Sequence, residues 1–113
     1  MKQFTNLGLA KSLFDAIKSE GYKVPTPIQS SIVPKILNSS DVIGIAQTGT
    51  GKTAAYVLPL LDNIIKTKED YFDRCCKSLI LVPTRELAMQ VINNIKKYGR
   101  NNKIKVVLIV GGA

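Results

Sequence analysis

Histidine and tryptophan are absent from the 113 residues, and the only two cysteines are the adjacent Cys75 and Cys76. Without histidine there is no imidazole for a zinc site, a Ser-His-Asp triad or acid-base work near neutral pH. Two neighbouring cysteines make no disulfide framework of the kind small secreted domains need, and they read as packing at a strand entrance. Long apolar runs are missing too: Ser78 to Val82 and Val106 to Val110 fall far short of the roughly 20 residues that span a bilayer. Met1-Lys2-Gln3-Phe4-Thr5 leads straight into amphipathic sequence, without the apolar segment and small-residue cleavage site of a secretory signal. No membrane partner and a cytoplasmic address are expected. Acidic residues are scarce, 8 against 16 Lys and Arg, giving a net charge of +8. None follows Glu86, whereas Lys96, Lys97, Arg100, Lys103 and Lys105 do, an electrostatic footprint suited to a polyanion. The same cations also suit a solvated helix end, where they complement the helix dipole.

What is present is enough apolar content, 45%, for one modest core, hence a single domain or part of one. Leu9, Leu13 and Ile17 at helical spacing, with Gly21 as a stop, predict a helix over residues 9–19. Pro27 suits a helix start, and Ile28, Ile32, Ile36 and Leu37 share one face, with Pro34 expected to kink or split the helix. The short apolar run Val42 to Ala46 reads as a buried strand. A third helical stripe follows, Ala54, Val57, Leu58, Leu61, Ile64 and Ile65, with a kink expected at Pro59. Polar residues from Lys66 to Arg74 read as a loop before a strand at 78–82. Leu87, Ala88, Val91, Ile92 and Ile95 predict another helix stopping at Gly99, and 105–110 a last strand. Strands alternating with helices predict an α/β fold, a parallel sheet with helical crossovers.

Chemistry enters with Ala46-Gln47-Thr48-Gly49-Thr50-Gly51-Lys52-Thr53, which follows the strand and opens a helix. That is the setting a phosphate-binding loop requires. Glycines let the backbone curl so that N–H groups point inward, and the helix presents its positive end to the phosphates. Lys52 would reach the β and γ phosphates of a nucleotide, and the Thr53 hydroxyl would serve Mg²⁺ held by the phosphate oxygens. Ala46 stands where the general pattern has a first glycine, which is acceptable at negative φ. The base must be read elsewhere, and Gln29 is the candidate. Its amide can pair with both N6 and N7 of adenine, whereas guanine offers only acceptors on that edge. A helix from Ile28 to Leu37 advances about 15 Å, and the strand 42–46 returns about 16 Å, so Gln29 and the loop should meet at one sheet edge. Tyr22, seven residues earlier, is placed to lay its ring against the base.

Gly21-Tyr22-Lys23-Val24-Pro25-Thr26-Pro27-Ile28-Gln29 resembles the Q motif of DEAD-box RNA helicases, with Phe4 where that family has its isolated upstream aromatic. The phosphate loop is similar to the family's version of Walker A, alanine included. Pro83-Thr84-Arg85-Glu86-Leu87-Ala88 resembles motif Ia, and Gly111-Gly112 the family's glycine doublet. The texture is nearest the bacterial RNA helicase E branch. The resemblance implies a P-loop NTPase, RecA-like lobe, here its N-terminal portion over 1–113, with a Q-motif region at 4–29 and a phosphate-loop and RNA-track region at 41–113. It implies ATP with Mg²⁺ as ligand, bound through Tyr22, Thr26, Gln29 and residues 46–53. It also implies RNA held by its backbone through Pro83, Thr84, Arg85, Glu86, Gly111 and Gly112, where the fork of Arg85 suits phosphate.

The family's Asp-Glu-Ala-Asp motif, its Ser-Ala-Thr motif and its second lobe have no counterpart in these residues, so hydrolysis by this stretch alone is expected to be close to absent. Strands that pair beside residues 42–46 are expected after residue 113, which implies marginal stability and exposed apolar strand edges. Two rival readings stand: another phosphate-loop enzyme such as a small-molecule kinase or transport ATPase, which would need neither Gln29 with Tyr22 nor Pro83 to Leu87, and a non-catalytic remnant or regulatory fragment.

Overall fold

The structure, a computed structural model, describes Phe4 and residues 7–67 and 76–112. Cys75, residues 68–74 of the expected polar loop and Ala113 lie outside the described residues. Four helices account for the regular structure: α1 Lys11–Ser19, α2 Pro27–Leu37, α3 Lys52–Lys66 and α4 Arg85–Tyr98. α3 is the hub, packing against each of the other three, and α1 also meets α4. Leu13, Ala16 and Ile17 of α1, Val57, Leu58 and Leu61 of α3, and Val91 and Ile95 of α4 are buried, joined in the core by Phe4 and Leu7. The upstream aromatic Phe4 is thus a core residue. No described helix is long and apolar enough to cross a membrane.

α1 begins at Lys11 rather than Leu9, because the carboxylate of Asp62 on α3 accepts the Ala10 N–H at 2.7 Å and fixes the entry of the chain. Asp62 is buried and also pairs with Lys66 at 2.9 Å, whose ammonium donates to the Gly8 carbonyl at 3.1 Å. α1 ends as expected at Gly21, which has φ +83. The Gly21 N–H reaches the Lys18 carbonyl and the Tyr22 N–H that of Ile17, the paired closure of a Schellman motif. α2 ends in the same closure with Ser39, at φ +64, in the left-handed position.

Neither proline breaks its helix. α2 continues through Pro34 and α3 through Pro59. A proline inside a helix costs one hydrogen bond and a steric clash; in α2 a capping box at the start, the Schellman closure at the end and packing against α3 offset that loss. The face of α2 also differs from expectation: Gln29 and Val33 are its buried residues, while Ile28, Ile32 and Ile36 are half-buried. Those isoleucines line a cavity of about 230 Å³ shared with Val42, Gly44, Lys52, Ala55 and Tyr56. Ile64 and Ile65 of α3 are likewise half-buried.

Among the described residues no backbone hydrogen bond joins the three apolar runs 42–46, 78–82 and 105–110, so the parallel sheet is not formed among them. Their exposure nevertheless alternates as a strand's does. Val42, Ile80, Val82 and Val106 lean toward the helices, whereas Ile43, Ile45, Leu79, Leu81, Val107 and Ile109 are exposed. Cys76, at the entrance of the second run, is exposed, not packed, and its thiol donates to the Ser78 carbonyl at 3.2 Å.

Candidate nucleotide and RNA site

The loop from Ala46 to Gly51 is shaped by two glycines in the left-handed region, Gly49 at φ +86 and Gly51 at φ +82. The Thr50 hydroxyl donates to the Gln47 carbonyl at 2.5 Å, closing a turn around Thr48 and Gly49. Gly51 is also the N-cap of α3. No side chain caps that helix and no acidic residue occupies its first turn. Its leading N–H groups, at Lys52 and Thr53, therefore keep their donors free of any side-chain cap, and the dipole is uncompensated by the chain's own carboxylates. Lys52 is exposed at the first position of the helix, with Thr53 beside it. One turn on, burial pushes the Tyr56 phenol up, partly opposed by its contact with the Thr53 side chain.

Gln29 is buried against this loop. Its Oε1 accepts the Thr26 N–H at 3.0 Å, while Thr26 Oγ1 accepts the Gln29 N–H at 3.4 Å, a reciprocal capping box that starts α2. Its Nε2 donates to the Gly51 carbonyl at 3.2 Å across 22 residues. A Cβ on Gly51 would sit 2.4 Å from that nitrogen, so any other residue there would displace the Gln29 amide as well as strain the backbone at φ +82. An amide has two N–H donors and two acceptor lone pairs, and these contacts use one of each. One donor and one acceptor stay available on a side chain whose orientation is already fixed. Thr26, Gln29 and Gly51 are thus brought together as the sequence implied.

Tyr22 is 48% exposed and lies beside α4. The Lys97 ammonium sits 5.5 Å from the centre of its ring and 4.8 Å from that of Tyr98. Tyr98 is buried, and burial, with lesser contributions from Tyr22 and Glu20, pushes its phenol up to about 12. Sequence reasoning missed this arrangement, because a contact between the residue after Gly21 and the last turn of α4 leaves no periodic trace.

At the other end of α4, the Thr84 hydroxyl caps the helix by accepting the Leu87 N–H at 3.1 Å, and Glu86 occupies the first turn. The Arg85 guanidinium donates to the Gly111 carbonyl, and lies against Gly112. Arg85 and the glycine doublet, 26 residues apart in sequence, therefore form one exposed cluster with Thr84 and Glu86; Pro83 is exposed at its edge. The cations Lys96, Lys97 and Arg100 are near the opposite end of the helix, whose 14 residues put its two ends about 20 Å apart. Arg100 donates to the Ala16 carbonyl at 3.4 Å and lies 3.9 Å from Glu20. The basic stretch is partly engaged in holding α1 and does not prolong the Arg85 cluster.

A glycine-built loop leading into an uncapped helix, with the helix packed under it, is an arrangement of the P-loop NTPase fold. The DEAD/DEAH box helicase family model matches residues 26–113. ATP-dependent RNA helicase DBP10 of Ajellomyces capsulatus is 44% identical over 109 residues, 96% of this chain and 12% of the relative. Among solved structures, the RNA helicase Prp28 of Chaetomium thermophilum bound to ADP superposes with a TM-score of 0.88 at 41% identity, over all of this chain and 28% of that one. Dbp5 of S. cerevisiae bound to RNA and ADP BeF3 gives 0.79 at 33% identity, over 92% and 26%. The chain belongs to the DEAD/DEAH box helicase family. It spans about an eighth of the length of the DBP10 relative.

Proposed function

We propose that this chain supplies the nucleotide contacts and part of the RNA track of an ATP-dependent RNA helicase. The observation that carries the reading is the hydrogen bond from Gln29 to the Gly51 carbonyl, which ties an adenine-reading amide directly to the phosphate loop. In this reading Tyr22, Thr26 and Gln29 hold the base. Ala46, Gln47, Thr48, Gly49, Thr50, Gly51, Lys52 and Thr53 wrap the phosphates, with Lys52 on the β and γ groups. Magnesium supplies charge neutralisation at the phosphates when bound, and the Thr53 hydroxyl is the group that would face it. Pro83, Thr84, Arg85, Glu86, Gly111 and Gly112 hold the RNA backbone, so little sequence preference is expected. The complexes of Prp28 with ADP and of Dbp5 with RNA and ADP BeF3 support both halves of the reading.

The exposed alternate faces of the three apolar runs support a sheet completed by further strands of a longer helicase, in which residues 1–113 are the front of the first RecA-like lobe. These 113 residues contain no Asp-Glu-Ala-Asp sequence, and in this reading they bind nucleotide while hydrolysis needs residues outside them. The test is binding of a fluorescent ATP analogue with Mg²⁺, displaced by excess ATP or GTP. Displacement by ATP but not GTP, lost in Lys52→Ala, is expected; equal displacement by both nucleotides would overturn the adenine assignment.

A further inference from the structure

We infer that Lys97 is a positioning residue for the nucleotide's base, holding the Tyr22 ring from behind so that its other face is presented for stacking. This rests on the proposed contact between Tyr22 and adenine. Tyr22 lies just beyond α1, its N–H reaching the Ile17 carbonyl at 3.3 Å. Its ring is half-exposed, so the backbone alone does not set the ring's direction. Lys97 helps to do so from α4, alongside the side-chain hydrogen bond between Tyr22 and Tyr98: its ammonium is within cation–π range of Tyr22 at 5.5 Å and of the buried Tyr98 at 4.8 Å. Tyr98 gives the cation a fixed seat, because it belongs to the core cluster and cannot follow Lys97 outward.

The base of that seat is rigid. The turn after α4 is pinned to α1 by Asn101 donating to the Ser12 carbonyl at 3.2 Å and Asn102 to the Ser12 hydroxyl at 2.9 Å. Arg100 adds a further tie between the two elements, donating to the Ala16 carbonyl at 3.4 Å and lying 3.9 Å from Glu20. A cation on one face of a phenol ring leaves the opposite face to an incoming aromatic base. Such a ring is pre-organised, and binding then forgoes the cost of ordering it. Lysine at this position thus acts on the base and not on the phosphates.

The experiment uses this chain and compares two ligands: a fluorescent ATP analogue with Mg²⁺, and inorganic tripolyphosphate as a competitor that has no base. Lys97→Met keeps the aliphatic stem and removes the charge. It is expected to weaken the ATP analogue roughly two- to fivefold, the scale of one cation–π contact, and to leave the affinity of tripolyphosphate unchanged. Lys97→Arg should restore the analogue. In Tyr22→Leu the further change Lys97→Met should have no effect on it. If Lys97→Met weakens both ligands alike, or neither, the positioning role is wrong. If Tyr22→Leu itself leaves the ATP analogue unaffected, the stacking contact falls, while the Gln29 and phosphate-loop assignments are tested separately by Gln29→Ala.

Discussion

α3 and α4 begin in the same way, each after an apolar run and a short turn, yet their first turns are finished oppositely. α4 is closed by its own sequence: Thr84 caps it, and Glu86 complements its dipole. α3 opens on Gly51, with no side-chain cap and no carboxylate. A helix start left without a side-chain cap, under a loop bent by two left-handed glycines, suits an anion, which is the role proposed for it. In the proposed reading the difference separates a helix end that serves the scaffold from one that serves the nucleotide. At α4 the exposed chemistry is displaced sideways, onto the Arg85 guanidinium and the Gly111 carbonyl.

The comparison can be broken most severely at Gly51. Gly51→Ala puts a Cβ 2.4 Å from Gln29 Nε2 at φ +82, costing about 1 to 2 kcal/mol in backbone strain alone; titration should show ATP-analogue binding lost and calorimetry a lower Tm. Gln29→Ala comes next. Discrimination of ATP over GTP should fall by about 1 to 3 kcal/mol, and thermal stability should fall with it, since the capping box of α2 is lost. Thr84→Ala sharpens the contrast from the scaffold side: about 1 kcal/mol of stability lost in chemical denaturation, with nucleotide affinity unchanged. At the far end of α4, Tyr98 makes stability sensitive to alkali. Its folded-state value is raised from 10.0 to about 12, so its contribution is complete below pH 10 and declines as pH climbs toward about 12, where only the unfolded chain has already lost the proton. Denaturation across that window should show the decline, and Tyr98→Phe should flatten it. Smallest is Ser39→Gly, which relieves a non-glycine residue at φ +64 and should raise Tm by the equivalent of a few tenths to about 1 kcal/mol.

Much of this architecture was legible in the residues. Apolar spacing located all four helices, and Gly21 stopped α1 because only a left-handed residue closes its Schellman turn. The meeting of Gln29 with the phosphate loop followed from element lengths alone. Other features were hidden for physical reasons. Pro34 was expected to kink or split α2 and Pro59 to kink α3; both helices run through their prolines unsplit, packed against each other, and α2 is helped by its caps. The inward face of α2 was misassigned because Ile28, Ile32 and Ile36 look like a core stripe, whereas Gln29 is buried by its hydrogen bonds, not by its hydrophobicity. The left-handed Ser39 lacks the glycine that would have announced it. Asp62 with Ala10 and Lys97 with Tyr22 are contacts across long sequence separations, and no local pattern encodes them. The apolar runs were read as strands from their shortness and apolarity; their alternating exposure fits that reading, while ladder pairing among the described residues is not seen.

The central claim, that the start of α3 takes an anion while that of α4 does not, can be read directly by amide hydrogen exchange with and without ATP and Mg²⁺. The amides of Lys52 and Thr53 should become protected on adding nucleotide, and those of Glu86 and Leu87 should exchange as before. Unchanged exchange at Lys52 and Thr53 at saturating nucleotide, or equal protection at both helix starts, would contradict it.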